Sequence, residues 1–497
     1  CFWRSDSRIG PRCQNPDDAA AQAAKVEGAY QGAQACDFSV GHVPYGVTQR
    51  DAAEGGSAGS GSVDRCLARA RFLGPVDLSM SHIPLDYLDK ICFGASNEAR
   101  GVSSAPVWQL RIEGDFDEEV AARALGLIAK LYPVLVSRVV SMEEGLPVLD
   151  ASRLAYAVDD EPRIDELFRV VDLSNTPAEE GGPPGGDAKA AAIARAFAAL
   201  QQEQYDHFID LERDYPVRFL WVRRGPSEGV LMIQQHHSIA DGRAFFDMLQ
   251  DFCVAYDQAL AGTLPTDVEP VPKLSEMLVA EPQAWRRVRY RFYGTFMHLW
   301  NIIRYSARPP DQLVSNTAEN FTGHSQHRHM DIDAEGLARI RSLRAPTGYS
   351  PNDLLGAALA HSLSEWSAAY GHPVRRFNLL MIADVRPRGV EIRSFGNHLS
   401  SFLVDFDMKR HDQPVLMMQH LRREVRRQAK RQMPAKKILA EISFARRLSV
   451  ARVREAVYKT GPSMLNYSFS NLLGITPKDH GGRFATSRWS AEDLRIM

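Results

Sequence analysis

The stretch VLMIQQHHSIADGRAFF, residues 230–246, ends an apolar run on two adjacent histidines and places an Asp-Gly pair three residues later. Four consecutive apolar residues, Val230 to Ile233, suit a strand covered on both faces. Successive strand residues point to opposite faces, so His236 and His237 serve different surroundings, one working and the other supporting. Asp241 and Gly242 fit a tight turn into a helix that begins near Arg243, because glycine tolerates unusual dihedrals and lets a ligand approach the backbone. The first turn of such a helix holds unpaired N–H donors suited to developing negative charge. A lone histidine at a strand end is usually packed or at the surface, and Asp-Gly is usually only a turn. The joint HHxxxDG spacing is another matter: its chance occurrence in a chain of this composition is on the order of 0.002, which points to function.

Working outward, YPVRFLWVRR (215–224), a turn at Gly225-Pro226 and the strand before the histidines read as a hairpin. VWQLRIEG (107–114) alternates as a strand. The segment 115–135 follows as an amphipathic helix, with Asp115 as its cap, acids in its first turn and Pro133 as its stop. Residues 174–188 are a Gly- and Pro-rich loop before a helix over 190–209. Beyond the motif, SPNDLLGAALAHSLSEWSAAYG (350–371) is a helix started by Ser-Pro, and the segments 375–389 and 394–408 read as strands. A basic helix over 415–432 and a strand within 463–475 complete a second set of elements. The fold class expected is α/β (α+β): two lobes, each a mixed sheet flanked by helices. Residues 1–70 form a flexible low-complexity extension, 71–262 an N-terminal lobe carrying the motif, 263–325 an inter-lobe linker with a basic aromatic helix, and 326–497 a C-terminal lobe.

The 497 residues suffice for two cores. Lys+Arg 59 against Asp+Glu 61 leaves a net charge of -2, so nucleic acid is not the expected partner. No apolar run reaches the length of a spanning helix, and the six cysteines show neither zinc nor disulfide spacing, so no metal site is expected. The chain starts at Cys1, which suggests a trimmed or incomplete amino terminus.

HHxxxDG, here His236-His237-Ser238-Ile239-Ala240-Asp241-Gly242, resembles the signature of the chloramphenicol-acetyltransferase-like superfamily. That superfamily includes condensation domains of nonribosomal peptide synthesis, wax ester synthase/diacylglycerol acyltransferases and alcohol acyltransferases. Supporting stretches fall in the family's order: DFDEEVAARALGLIAKLYPVLVSRV before the motif, ADVRPRGVEIRSFGNHLSSFLV and NYSFSNLLG after it. The resemblance covers residues 73–474, strongly at the motif and weakly elsewhere. It implies two lobes meeting along a central tunnel. It also implies an acyltransferase that moves an acyl group from a thioester, borne by coenzyme A or by the phosphopantetheine arm of a carrier protein, to a hydroxyl or amine. No cofactor is resident; the thioester is a cosubstrate.

On this carry-over His237 is the general base. His236 is supporting, and Asp241 is a structural residue paired with an arginine, Arg138 first and Arg386 second. Gly242 gives the reacting carbonyl room, and Asn397 and Ser400 face the substrates. Val136 stands where condensation domains often carry another arginine, which tilts the reading toward a simple acyltransferase. An amide-forming condensation domain and a noncatalytic binding module of the same fold are the alternatives. The short stretch after the last family segment implies an incomplete C-terminal lobe. The expected location is cytoplasmic. The basic aromatic segment around residues 285–300 either touches an anionic membrane surface or packs between the lobes, and the basic residues 422–437 either attract phosphates or form a solvated face.

Overall fold

The computed structural model describes residues 82–98, 103–177, 186–273, 284–311, 332–342, 348–386, 394–438, 447–464, 467–469 and 484–496. The chain divides into Cys1–Asp77 and Leu78–Met497, and every described residue belongs to the second unit. The extension expected over residues 1–70 lies outside the described residues.

In chain order the elements are β1 (His82–Pro84), α1 (Tyr87–Ala95), β2 (Val107–Gly114), α2 (Glu118–Leu131), β3 (Ser137–Ser141), β4 (Leu154–Val158), β5 (Phe168–Asp172), α3 (Gly186–Asp206), β6 (Val217–Arg223), β7 (Glu228–Gln235) and α4 (Gly242–Leu260). There follow α5 (Ala284–Ala307), α6 (Ala334–Ser342), α7 (Pro351–Ala369), β8 (Arg376–Asp384), β9 (Leu399–Asp407), α8 (Pro414–Lys430), α9 (Val450–Met464), β10 (Tyr467–Phe469) and β11 (Trp489–Ile496).

β7 is the middle strand of a five-stranded sheet in the order β11-β2-β7-β6-β5, which explains a sequence apolar on both faces. Leu231 and Ile233 face one core with Leu125 and Ile128 of α2 and Phe245 and Phe252 of α4. Val230 and Met232 face another, against Ile193 and Phe197 of α3. The β6–β7 register sets Val217 opposite Gln235, so β7 runs out beside the start of β6. A three-stranded sheet, β1-β4-β3, lies alongside in sequence.

Asp117 caps α2 rather than Asp115: its carboxylate accepts from the N–H groups of Glu119 and Val120. The reason is Phe116, which is buried and stacked on Trp221 at 4.2 Å, so the chain turns into the helix only after it. Asp115 instead pairs with Arg488 at 2.7 Å.

The second half centres on the sheet β10-β8-β9, with Leu379, Met381, Val404 and Phe406 packed against Ala357 and Ala360 of α7 and Met417 and Leu421 of α8. Ser350 caps α7 in a reciprocal capping box with Asp353, and Pro351 opens the helix, as the Ser-Pro start predicts. The last strand departs from the expected boundary. β11 pairs antiparallel with β2 in the first half's sheet, so residues 326–497 do not all build the second half. Gly114, at φ +121, makes room for that strand: a Cβ there would lie 2.4 Å from the Arg488 carbonyl oxygen.

Two sheet-and-helix halves confirm the mixed α/β class. Among the described residues no helix is long and apolar enough to cross a membrane, and no cluster of His, Cys, Asp and Glu is placed to hold a metal.

Candidate active site

β7 releases its two histidines at its carboxyl end, where backbone bonds latch them in place: His236 N–H to the Pro216 carbonyl at 2.7 Å and His237 N–H to that of Ser104 at 2.7 Å. The two rings part as strand geometry requires. His236 is fully buried. Its Nδ1 accepts from the Ser238 N–H at 3.2 Å, so in the neutral ring the hydrogen lies on Nε2, which is 2.9 Å from Ser96 Oγ. Burial first, and then the neighbouring His237, push the His236 pKa down to about 3. This ring is a neutral structural pin.

His237 is part-exposed and meets Asn397, which the second half supplies just before β9. Three acceptors surround the Asn397 amide nitrogen: the His237 carbonyl at 2.7 Å, the Ser238 carbonyl at 3.1 Å and Asp89 Oδ1 at 3.3 Å. They fix which way the amide points. Its oxygen therefore faces His237 Nδ1 at 3.2 Å and accepts a hydrogen from it. Neutral His237 thus carries its hydrogen on Nδ1, and the lone pair sits on Nε2, the nitrogen able to take a proton.

Asp241 is buried and fully engaged. As N-cap of α4 its Oδ1 accepts from the Ala244 N–H at 3.0 Å and from Arg386 Nη2 at 2.9 Å; Oδ2 accepts from the His398 N–H at 2.8 Å. Burial pushes its pKa up, but the Arg386 charge and these hydrogen bonds outweigh it and hold the carboxyl below its ordinary value. The Asp241 N–H donates to the carbonyl of Gly396, whose φ of +150 is a glycine conformation. Asp241 therefore joins the motif of the first half to residues 386–398 of the second.

Arg138, the first choice of partner for Asp241, is elsewhere. It lies on β3, 3.6 Å from Asp159 and 3.4 Å from Glu166, with its guanidinium over the Tyr215 ring. Its spacing in sequence put it on the small sheet, whereas Arg386 leaves the end of β8 directly beside α4. A cavity of about 540 Å³ opens around Arg138, Arg218 and His207, and none of its lining residues belongs to the histidine cluster. Ser400, expected on substrate, donates its hydroxyl to the Pro434 carbonyl at 2.8 Å. Asn397, expected there too, holds His237. Gly242 opens α4, so its N–H is among the first-turn donors that no helical carbonyl takes.

Three residues of the cluster, Asp86, Asp89 and Lys273, escaped the sequence reading. Asp89 on α1, completely buried, contacts both Asn397 and the ammonium of Lys273, which lies 3.8 Å from Asp86 and 4.7 Å over the Tyr156 ring. Asp86 and Asp89 form a capping box at the start of α1, a local signal visible in PLDYLDK. Lys273 sits in the Pro-rich stretch after α4, and nothing local marks it. His398 is buried, and burial first, then Arg386, hold its pKa down to about 4.

Known proteins resemble this chain in sequence and in fold. The chain is 30% identical over 183 residues to a probable non-canonical nonribosomal peptide synthetase, CymA, of Salinispora arenicola; the match takes in 33% of this chain and 2% of that protein. Its fold resembles the first condensation domain of the calcium-dependent antibiotic synthetase, solved with a substrate analogue, at a TM-score of 0.54 and 16% identity over 84% of each chain. It also resembles a starter condensation domain of rhizomide synthetase in complex with C8-CoA, at a TM-score of 0.51 and 16% identity over 84% of this chain and 83% of that one. The family model described as the condensation domain matches residues 186–449, more than half of the 497 residues and the whole of HHxxxDG. The chain belongs to the condensation-domain family.

Proposed function

We propose that this chain joins an acyl group carried as a thioester to an amine, forming an amide. The observation that carries the reading is the Asn397 contact, which fixes the His237 hydrogen on Nδ1 and leaves Nε2 as a base. In the step, Nε2 takes a proton from the acceptor nitrogen while that nitrogen bonds to the thioester carbonyl carbon. The C–S bond then breaks, and the thiolate recovers the proton from the imidazolium. One thioester and one amine become one amide and one thiol. The Gly242 N–H, at the start of α4 and in the last residue of the motif, suits the transient oxyanion.

The thioester is a substrate carried by coenzyme A or by a carrier protein's phosphopantetheine arm, and the two substrates meet at His237 from opposite ends of a tunnel between the halves. Support comes from the family and from the 30% identity to a peptide synthetase. A hydroxyl acceptor, giving an ester, is the second reading. It is favoured by Val136, buried and apolar where condensation domains often carry an arginine.

The test is mass spectrometry of products from the full chain with acyl groups on coenzyme A and on carrier protein, offered mixed amines and alcohols. Amide products that require the chain support the proposal. Esters alone establish the second reading. No product from any pair overturns both and leaves a binding module.

A further inference from the structure

α5 packs one side on the protein and leaves the other bare. Tyr290 and Tyr305 are buried, the former bonded to Gln432 and the latter to Asp405 at 2.7 Å. On the opposite arc stand Trp285, Val288, Phe292, Phe296, Leu299 and Ile303, with Trp300 beside them, all 48–77% exposed. Their spacing follows 3.6 residues per turn, so they form one straight apolar stripe about 27 Å long. Scattered exposed apolar side chains are ordinary, but a continuous stripe of seven large ones marks a contact surface. Among the described residues none covers it.

The charge beside the stripe has one sign. The sequence of α5 holds five arginines and no Asp or Glu. Arg304 is spent on Asp405, whereas Arg289 is exposed. Lys436 lies 5.2 Å from the Tyr290 ring and 4.7 Å from that of Tyr293, on the flank between the buried and bare arcs. Arg289 lies 5.9 Å from the same Tyr290 ring and Lys436 donates to the Arg431 carbonyl at 2.5 Å, so these three cations are neighbours; burial chiefly, and then the charges of Arg289 and Arg431, lower the Lys436 pKa. A second copy set face to face would bring the same cations together. A surface with negative headgroups over an apolar layer matches both halves of the pattern.

We infer that the outer face of α5 docks this chain on an anionic lipid bilayer, with the aromatic and aliphatic stripe at the acyl boundary and Arg289, Arg431 and Lys436 against the phosphates. The inference does not depend on the acceptor or donor of the acyl reaction.

Co-sedimentation of the full chain with phosphatidylcholine vesicles, with and without phosphatidylglycerol, tests it at low and high ionic strength. The wild type should partition onto the phosphatidylglycerol vesicles, less so at high salt. The double variant Phe292→Glu, Phe296→Glu should bind at least about tenfold more weakly. Arg289→Glu with Lys436→Glu should remove about tenfold or more of the preference for anionic vesicles. Unchanged thermal melting and unchanged acyl transfer in free solution establish that the variants are folded. No retention of the wild type, equal retention on neutral vesicles, or equal retention of the Phe variant overturns the inference. Self-association that the Phe variant abolishes, without vesicle retention, also overturns it and assigns the stripe to a second copy.

Discussion

His236 and His398 are imidazoles kept neutral by burial, and that has a consequence for pH. Their pKa values fall to about 3 and about 4, against an ordinary 6.5. Below about pH 6.5 the unfolded chain takes up protons on both that the folded chain refuses. Each therefore contributes stability that is fully present above pH 6.5 and is lost as the pH falls toward its folded pKa. The slope is about 1.4 kcal/mol per pH unit for each histidine. Melting temperature measured from pH 6.5 down to about 4 should fall less steeply in His398→Asn than in wild type; parallel profiles would contradict the burial argument. At this scale the sequence told which two histidines matter and that their surroundings differ. It did not tell what Asn397 does. The resemblance set Asn397 toward the substrates, and only the fold, by setting it against a residue 160 positions away, turns its amide into the clamp on His237.

Among the elements, α4 shows how one side chain serves two purposes. Asp241 caps the helix and holds Arg386, whose side chain is mostly buried. Asp241→Asn keeps a good cap, since asparagine is as favourable as aspartate at that position, and removes only the charge. The variant isolates the pair. Arg386 keeps Asp384, 3.3 Å away, so loss of its buried partner should cost about 1–3 kcal/mol, lowering melting temperature and activity together. Lost activity at unchanged melting would instead give Asp241 a direct part in the chemistry. Alternation placed β2 and amphipathic spacing α2, because each buries a face that its own sequence displays; the continuous apolar run and its turn placed β6 and β7, Asp-Gly placed the start of α4, and Ser-Pro placed α7. Asp117 replaced Asp115 as the α2 cap because the tertiary stacking of Phe116 on Trp221 decides where the chain turns. The arginine choice failed for a similar reason. Arg138 and Arg386 are equally plausible by composition, and only the path of β8 past α4 separates them.

For the molecule as a whole, the site exists only where the two halves meet. His237 and Asp241 come from the end of β7 and the start of α4; Arg386, Asn397 and His398 come from the β8–β9 connection, and Asp89 from α1. Periodicity read within a window cannot report such joins, nor the return of β11 to the first sheet. HHxxxDG could be found because all its members are neighbours in sequence; Lys273, 184 residues from the Asp89 it meets, could not. Under the function proposed here, this junction presents His237 Nε2 as the base for transfer from a thioester. The most direct measurement is the single-turnover transfer rate of His237→Ala beside wild type, using a donor and acceptor pair that wild type accepts, with melting temperature recorded for both. Removing the base should lower the rate about 10²- to 10⁴-fold at unchanged melting temperature. A folded His237→Ala protein that transfers at the wild-type rate would contradict it.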